Sequence, residues 1–392
     1  MKQLGKSILF LSALMLLASC SKTEKEIIIS VKNTSNTDRT FETVELTKSF
    51  LNVKDLSAIG MLNTATNTLE VTQTVDHDND SIMDVILFQP KIKAGSEVRF
   101  KIVPANKAEK HEARELCYSR FVPERTDDYA WENDKVAFRV FGPDAQYRFE
   151  NNLKEGTLSS GVDAWLKKVE YSIINSWYKK YTEKTGSYHE DTGEGLDNFH
   201  VGKSRGIGGL AVKQDTTYYY SKNFIKWRTI TTGPIRTSFY LEYESWNAGK
   251  KLVKESKIIS LDKGSNLSKF DTTIDGVKTA SAGLTLHEKD GKVTTNKADG
   301  WISYWQPHAD SELGTAIIVP KDHVMDFETY NSAIKDLSNA YAHLKVINNN
   351  AIYYAGFGWK KSGQFKTKQD WENYLSDFAE NLNTPLKVTR IK

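Results

Sequence analysis

The stretch FIKWRTITTGPIRTSFYLEY, residues 224–243, decides the fold. Phe224, Lys226 and Arg228 fall on one side, and Ile225, Trp227 and Thr229 on the other. A period of two is that of a strand. Gly233-Pro234 then marks a turn, and a second alternating run follows with Arg236, Ser238, Tyr240 and Glu242 on one side. Two strands joined by a short turn lie antiparallel. Aromatic and cationic residues share faces here, which predicts an antiparallel sheet with one wet, ligand-bearing face.

Working outward, the same signal recurs. Leu252–Leu261 and Gly314–Val319 read as strands, as does Lys135–Phe141, which ends at Gly142-Pro143. Arg139 sits on that mostly apolar strand, either as a paired structural cation or as a ligand for an anion. Two helices interrupt the pattern. Val162, Trp165, Val169, Ile173 and Trp177 recur every three or four residues, with Asp163 and Lys167 as a supportive pair. Thr367 caps a second helix, with Asp370 three residues on and Trp371, Tyr374, Leu375, Phe378 and Leu382 as its apolar face. Before residue 105 the runs are short: Ile27–Val31, Phe41–Leu46, Leu69–Val75, Val85–Phe88 and Val98–Val103. The expectation is a mainly β protein: a small N-terminal β-sandwich over 21–110, then a large antiparallel β-sandwich over 115–392 with a few peripheral helices.

Residues 1–20 stand apart. Lys2 and Lys6 precede an apolar run, Ile8–Leu17, too short to span a bilayer, and Leu17-Ala18-Ser19-Cys20 follows. This reads as a lipoprotein signal peptide with acylation at Cys20; the alternative is an ordinary signal with an incidental cysteine. A lipid-anchored protein of the outer membrane is expected. Cys117 is then the one remaining cysteine, which excludes an intramolecular disulfide and a cysteine-rich zinc site, and it reads as a buried apolar residue. A net charge of +3 without a basic block excludes nucleic acid as an expected partner. Nine tryptophans and eighteen tyrosines are the larger excess, suited to a core and to stacking on sugar rings.

Two segments carry candidate chemistry. Tyr188–Gly209, YHEDTGEGLDNFHVGKSRGIGG, has no apolar period and concentrates His189, His200, four carboxylates, Lys203 and Arg205 among six glycines. Gly300–Asp310, GWISYWQPHAD, holds Trp301, Tyr304, Trp305 and His308. In the small domain, Asp76, Asp78, Asp80 and Asp84 fall at positions 1, 3, 5 and 9 of a calcium-type loop that lacks its glycine and its final glutamate; the alternative is an acidic hairpin turn. There is no Walker loop, GxSxG elbow or HExxH, so no nucleotide and no required cofactor is expected. Glycoside hydrolysis would need a carboxylate pair, for which Glu190, Asp191, Glu194 and Asp197 compete. β-Elimination on a uronic acid would instead need a base, an acid and a cation for the carboxylate, types matched by His189, Arg205, Arg236, Tyr304 and His308.

SYHEDTGEGLD (187–197), VGKSRGIGG (201–209), SKNFIKWR (221–228), GPIRTSFYLEY (233–243) and WENDKVAFRVFGP (131–143) resemble bacterial lipoproteins encoded in polysaccharide-utilisation loci, long described as a domain of unknown function. That group includes a dehydratase acting on ulvan oligosaccharides. The resemblance covers nearly the whole mature chain, although Thr192 stands where relatives often carry histidine. It implies removal of water from a non-reducing-end glucuronic acid, leaving a 4,5-unsaturated sugar. In this reading His189 is base or acid, Arg205 and Arg236 hold the uronate, and His308 or Tyr304 completes the relay. Arg139, Lys222, Trp301 and Trp305 would contact the oligosaccharide. The rivals are a non-catalytic glycan-binding lipoprotein and a glycoside hydrolase.

Overall fold

The computed structural model describes residues 26–105 and 114–391. The signal segment with Cys20 lies outside them, as do residues 106–113, where the domain boundary was expected. The described chain is mainly β, with a small sandwich, a large one and few helices.

In the small sandwich, Ile27–Lys32 lies between Glu97–Pro104 and the C-terminal strand Lys387–Arg390, all antiparallel. Facing that sheet is a three-stranded one of Val44–Thr47, Val85–Phe88 and Thr72–Val75. Ile29, Val31, Leu46, Ile86, Phe88 and Phe100 fill the space between them. The span 21–110 therefore omits one strand, which the chain supplies from its far end. KVTR, residues 387–390, carries a single apolar side chain, too little for a strand signal.

The large sandwich stacks a nine-stranded sheet on a five-stranded one. The two quoted strands, observed as Phe224–Thr231 and Arg236–Tyr243, form one edge of the nine-stranded sheet. Lys251–Asp262, Leu267–Asp275 and Asn350–Trp359 continue it towards Ser311–Ile318 and Trp301–His308. The other sheet is built from Thr217–Tyr219, Ile207–Gln214, Thr279–Thr285, Asn339–Lys345 and Val324–Tyr330. Leu210, Val212, Ala282 and Leu284 of one sheet share a core with Phe270, Ile317 and Tyr353 of the other.

A third sheet, of Tyr118–Val122, Asp128–Glu132, Ala137–Val140, Asp163–Lys167 and Gly195–Leu196, packs against the first edge, where the Tyr129 ring stacks on Phe239 at 4.2 Å. Here the expected helix over 162–177 is corrected. Asp163–Lys167 is a strand with all five residues buried, and the helix is Ile174–Thr182. Ala164 and Leu166 face the main core while Trp165 packs with Ile174, Trp177 and Tyr178. A strand buried on both faces loses its alternation, and its apolar spacing then imitates a helix. Asp163 and Lys167 do not pair with each other: Asp163 binds Arg139, and Lys167 binds Glu132.

The C-terminal helix Lys368–Asn383 forms as expected, with a capping box between Thr367 and Asp370. It covers the outer face of the nine-stranded sheet through Trp371 and Leu375, which pack on Trp301, Trp305 and Ala316. Gly314 and Gly358 make room for the Trp371 ring; a Cβ on either would come within 2.8 Å of it. Cys117 is buried, and burial pushes its thiol well above the usual range, so it is inert.

Candidate functional site

The glycine-rich segment 188–209 covers one end of the large sandwich without forming a long element of its own. Its glycines are there for close approach. Gly195 and Gly206 adopt φ of +113° and +55°, and a Cβ on them would meet the Leu166 and Val162 carbonyls at 1.9 and 2.0 Å. The segment is thus pressed against the strand Asp163–Lys167, and its polar side chains turn outward or into a buried ionic cluster.

That cluster surrounds Arg139. Its Nε and Nη2 donate to Asp163 Oδ2 at 3.0 and 2.6 Å, Nη2 also donates to Asp197 Oδ2 at 2.9 Å, and Nη1 lies 3.6 Å from Asp128 Oδ2. The rings of Trp165, Tyr188 and Phe141 enclose the guanidinium. Arg139 is a paired structural cation and not a substrate contact. Three carboxylates around one guanidinium leave excess negative charge away from water, so protons are retained. Burial pushes Asp128 up to about 6 and raises Asp163 well above the ordinary carboxylate range; Asp197 is raised by burial too.

His189 stands over this cluster. Its ring is about half exposed, with Nδ1 donating to the Asp197 carbonyl at 2.7 Å and lying 3.7 Å from the Asp197 carboxylate. That bond fixes the tautomer and leaves Nε2 as the basic nitrogen. The next residue, Asn198, accepts from His308 Nε2 through Oδ1 at 2.9 Å, which leaves His308 Nδ1 free. Burial lowers the His308 pKa and keeps the ring neutral. Lys361 reaches Asp310 at 2.6 Å and Asp191 at 3.9 Å, tying the hairpin tip beyond His308 to the loop that carries His189. Asp197 and Asn198 thus form a junction to which His189 and His308 are each hydrogen-bonded.

The other expected site residues go elsewhere. Tyr304 is buried in the core, its hydroxyl accepting from the Gly291 N–H at 3.0 Å, and it takes no part in a surface relay. Trp301 and Trp305 are buried beneath the C-terminal helix, bonded to Ser376 Oγ and Glu312 Oε1, and present no face to a sugar. Lys222 pairs with Glu150 at the surface. Arg236 grips Asp262 through two bonds of 2.6 and 2.9 Å and Glu45 at 2.8 Å. It lines a cavity of about 510 Å³ between the two sandwiches, alongside Phe41, Asp262 and Leu382 and away from the histidine junction. Arg205 is fully buried behind the segment. It donates to Ser160 Oγ at 2.9 Å and stacks on Tyr220 at 3.7 Å. It holds the loop to the sheet and does not meet solvent.

Sequence reasoning missed several partners. Asp163 and Asp128 lie far along the chain from Asp197. Glu328 gathers Lys213, Tyr218 Oη at 2.9 Å and His343 Nε2 at 3.1 Å on the far side of the five-stranded sheet. His287 and Asp336 join His200 at the rim: His200 Nε2 lies 3.2 Å from Asp336 Oδ2, and His287 Nδ1 3.0 Å from Asp336 Oδ1. In the acidic turn, Asp76, Asp78 and Asp84 converge within 4.8 Å, without Asp80, whose Oδ1 accepts from the Ile82 N–H. Both Asp76 oxygens accept backbone N–H groups, from Asn79 and Ser81, which holds the acidic turn in shape.

A small and a large antiparallel sandwich, with a histidine-bearing loop across one end, define the class. The chain belongs to the family described as "Domain of unknown function (DUF4861)", whose model matches residues 31–388. It is 52% identical over 385 residues to "Uncharacterized protein P7" of Formosa agariphila, covering 97% of this chain and 98% of that one. Among solved structures it is similar to an α-mannosidase of Enterococcus faecalis, with a TM-score of 0.51 at 12% identity, over 94% of this chain and 46% of the enzyme. A glycosyl hydrolase family 38 protein of the same organism gives a TM-score of 0.51 at 10% identity, over 94% of this chain and 48% of that protein. The chain thus spans under half the length of both, and at such identities the likeness is one of fold.

Proposed function

We propose that the protein is an oligosaccharide dehydratase, a carbon–oxygen lyase that eliminates water from a terminal glucuronic acid of ulvan-type chains. One observation carries this reading: two imidazoles are fastened to consecutive residues, Asp197 and Asn198, each with one ring nitrogen committed and one free. Elimination needs two proton-transfer groups at one place. His308, held neutral by burial, takes the proton beside the carboxylate through Nδ1. His189, carrying a second proton on Nε2 as the imidazolium, delivers that proton to the departing hydroxyl, so that water leaves as the double bond forms. Asp197 is the positioning residue for His189. With Arg205 and Arg236 committed elsewhere, Lys361 is the cation at the junction for the uronate.

The test is product analysis on sulfated and desulfated uronic oligosaccharides. The expected product has lost one water and absorbs in the ultraviolet through its conjugated double bond. His189→Ala and His308→Ala should each lower turnover by about 100-fold or more with the fold intact. A product that has gained water across two fragments would sink the elimination and establish hydrolysis.

Hydrolysis is the second reading, because the two neighbouring folds are glycosidases by description. Three of the segment's four carboxylates serve it poorly, since Asp191 is bound to Lys168, Glu194 to Lys180, and Asp197 lies buried on Arg139; the exposed Glu190 is left without a second carboxylate to pair with. A purely glycan-binding role loses its stacking platforms, since Trp301 and Trp305 are covered. The same proposal includes a lipid anchor at Cys20 in the outer membrane, tested by labelled-palmitate incorporation that Cys20→Ala abolishes. It also includes calcium at Asp76, Asp78 and Asp84 as a brace for the turn, with no part in the reaction.

A further inference from the structure

His200, His287 and Asp336 come from three separate segments and meet at the rim of the five-stranded sheet, with one ligand atom of each within 4.8 Å of the others. His200 Nε2 lies 3.2 Å from Asp336 Oδ2 and His287 Nδ1 3.0 Å from Asp336 Oδ1, so both imidazoles reach the one carboxylate, each at a different oxygen.

The contacts at His287 suit an ion as well as a salt bridge. His287 Nε2 abuts the His200 backbone carbonyl. A carbonyl only accepts, so Nε2 carries the ring proton. His287 Nδ1 is buried 3.0 Å from Asp336 Oδ1, in poor alignment for a hydrogen bond. A bare imidazole lone pair facing a carboxylate oxygen is repulsive unless a proton or a metal ion stands between them. An imidazole that donates one N–H to a backbone carbonyl and aims the other nitrogen at a carboxylate has the outer-shell arrangement of a metal ligand.

The backbone leaves room as well. Gly202 has φ +52°, and a Cβ there would lie 2.1 Å from Asp336 Oδ2 and 2.8 Å from His200 Nε2. Any other residue would close the space.

We infer that His200, His287 and Asp336 bind one divalent transition metal of the zinc class. Two imidazoles and one carboxylate are three protein ligands, which leaves a fourth position for water or an anionic oxygen. His200 is 59% exposed in its side chain, so that position opens to solvent. The ion would clamp the 200–202 turn to the segments carrying His287 and Asp336. The site is independent of the proposed elimination and stands or falls by itself.

The experiment uses the full mature chain, stripped with chelator and titrated with cobalt(II). The expected result is one cobalt per chain with the intense visible bands of a four-coordinate site, displaced by zinc. His200→Ala removes an exposed ring and leaves the fold in place; it should weaken binding at least about 100-fold, since even outer partners of metal ligands are worth up to about that much. Asp336→Asn should do the same. No stoichiometric cobalt binding, or binding unaltered by both His200→Ala and Asp336→Asn, would overturn the assignment and leave His287 as an imidazolium paired with Asp336.

Discussion

Arg139 shows what a single residue's neighbours decide. Its place on an apolar strand was legible in the sequence, and so were its two possible roles. The choice between them was not, because its partners Asp163 and Asp197 lie 24 and 58 residues away. The cluster has a measurable signature. Between about pH 3.8 and about 6, Asp128, raised to about 6 in the folded chain from an ordinary 3.8, stays protonated there while the unfolded chain ionises. The sign follows from linkage: its contribution to stability is full below about pH 3.8 and is lost as pH rises to about 6. Asp128→Asn should therefore flatten stability between those values, measured as thermal midpoints across pH. The variant keeps an oxygen for the Tyr178 hydroxyl, which now donates to Asp128 Oδ2 at 3.1 Å. An unchanged pH profile would count against the retained proton.

Strands with one wet face were readable because alternation survives there. Phe224–Thr231 and Arg236–Tyr243 lie within a residue of the sequence reading. Asp163–Lys167 was not, because both its faces are covered. The aromatic run 301–305 misled for a related reason. Its alternation was sound, but Trp301 and Trp305 are covered by a helix some seventy residues later. That helix was itself legible, cap included. Thr367→Ala removes the hydroxyl that accepts from the Asp370 N–H at 3.2 Å and should cost about 1 kcal/mol in denaturant melts. Trp371→Ala strips the fully buried ring joining helix to sheet and should cost about 3–5 kcal/mol.

Across the whole molecule, the two sandwiches are joined by polar contacts as much as apolar ones. Gln73 of the small sandwich accepts from the Ile235 and Arg236 N–H groups and donates to the Arg236 carbonyl. Its side chain fits because Gly233 has none: a Cβ there would lie 2.7 Å from it. The Gly233-Pro234 turn was legible; its service as a socket for another domain was not. Arg236→Ala breaks the bonds to Glu45 and Asp262 and should destabilise by about 2 kcal/mol. Its effect on turnover should be small, the opposite of what a uronate ligand would show. His200 and Asp336 were unreadable as a pair because 136 residues separate them.

The strand Lys387–Arg390 beside Ile27–Lys32 sets an order of assembly. As the chain is synthesised, the small domain emerges first, yet its sheet gains its last strand only when residue 390 has been released. Until then the edge of Ile27–Lys32 that faces Lys387–Arg390 lacks its partner. A chain cut short near its end would thus carry its defect in the domain made earliest, where the open edge of Ile27–Lys32 is free to pair with another chain. Residues 387–390 close a sheet that the chain opens at Ile27.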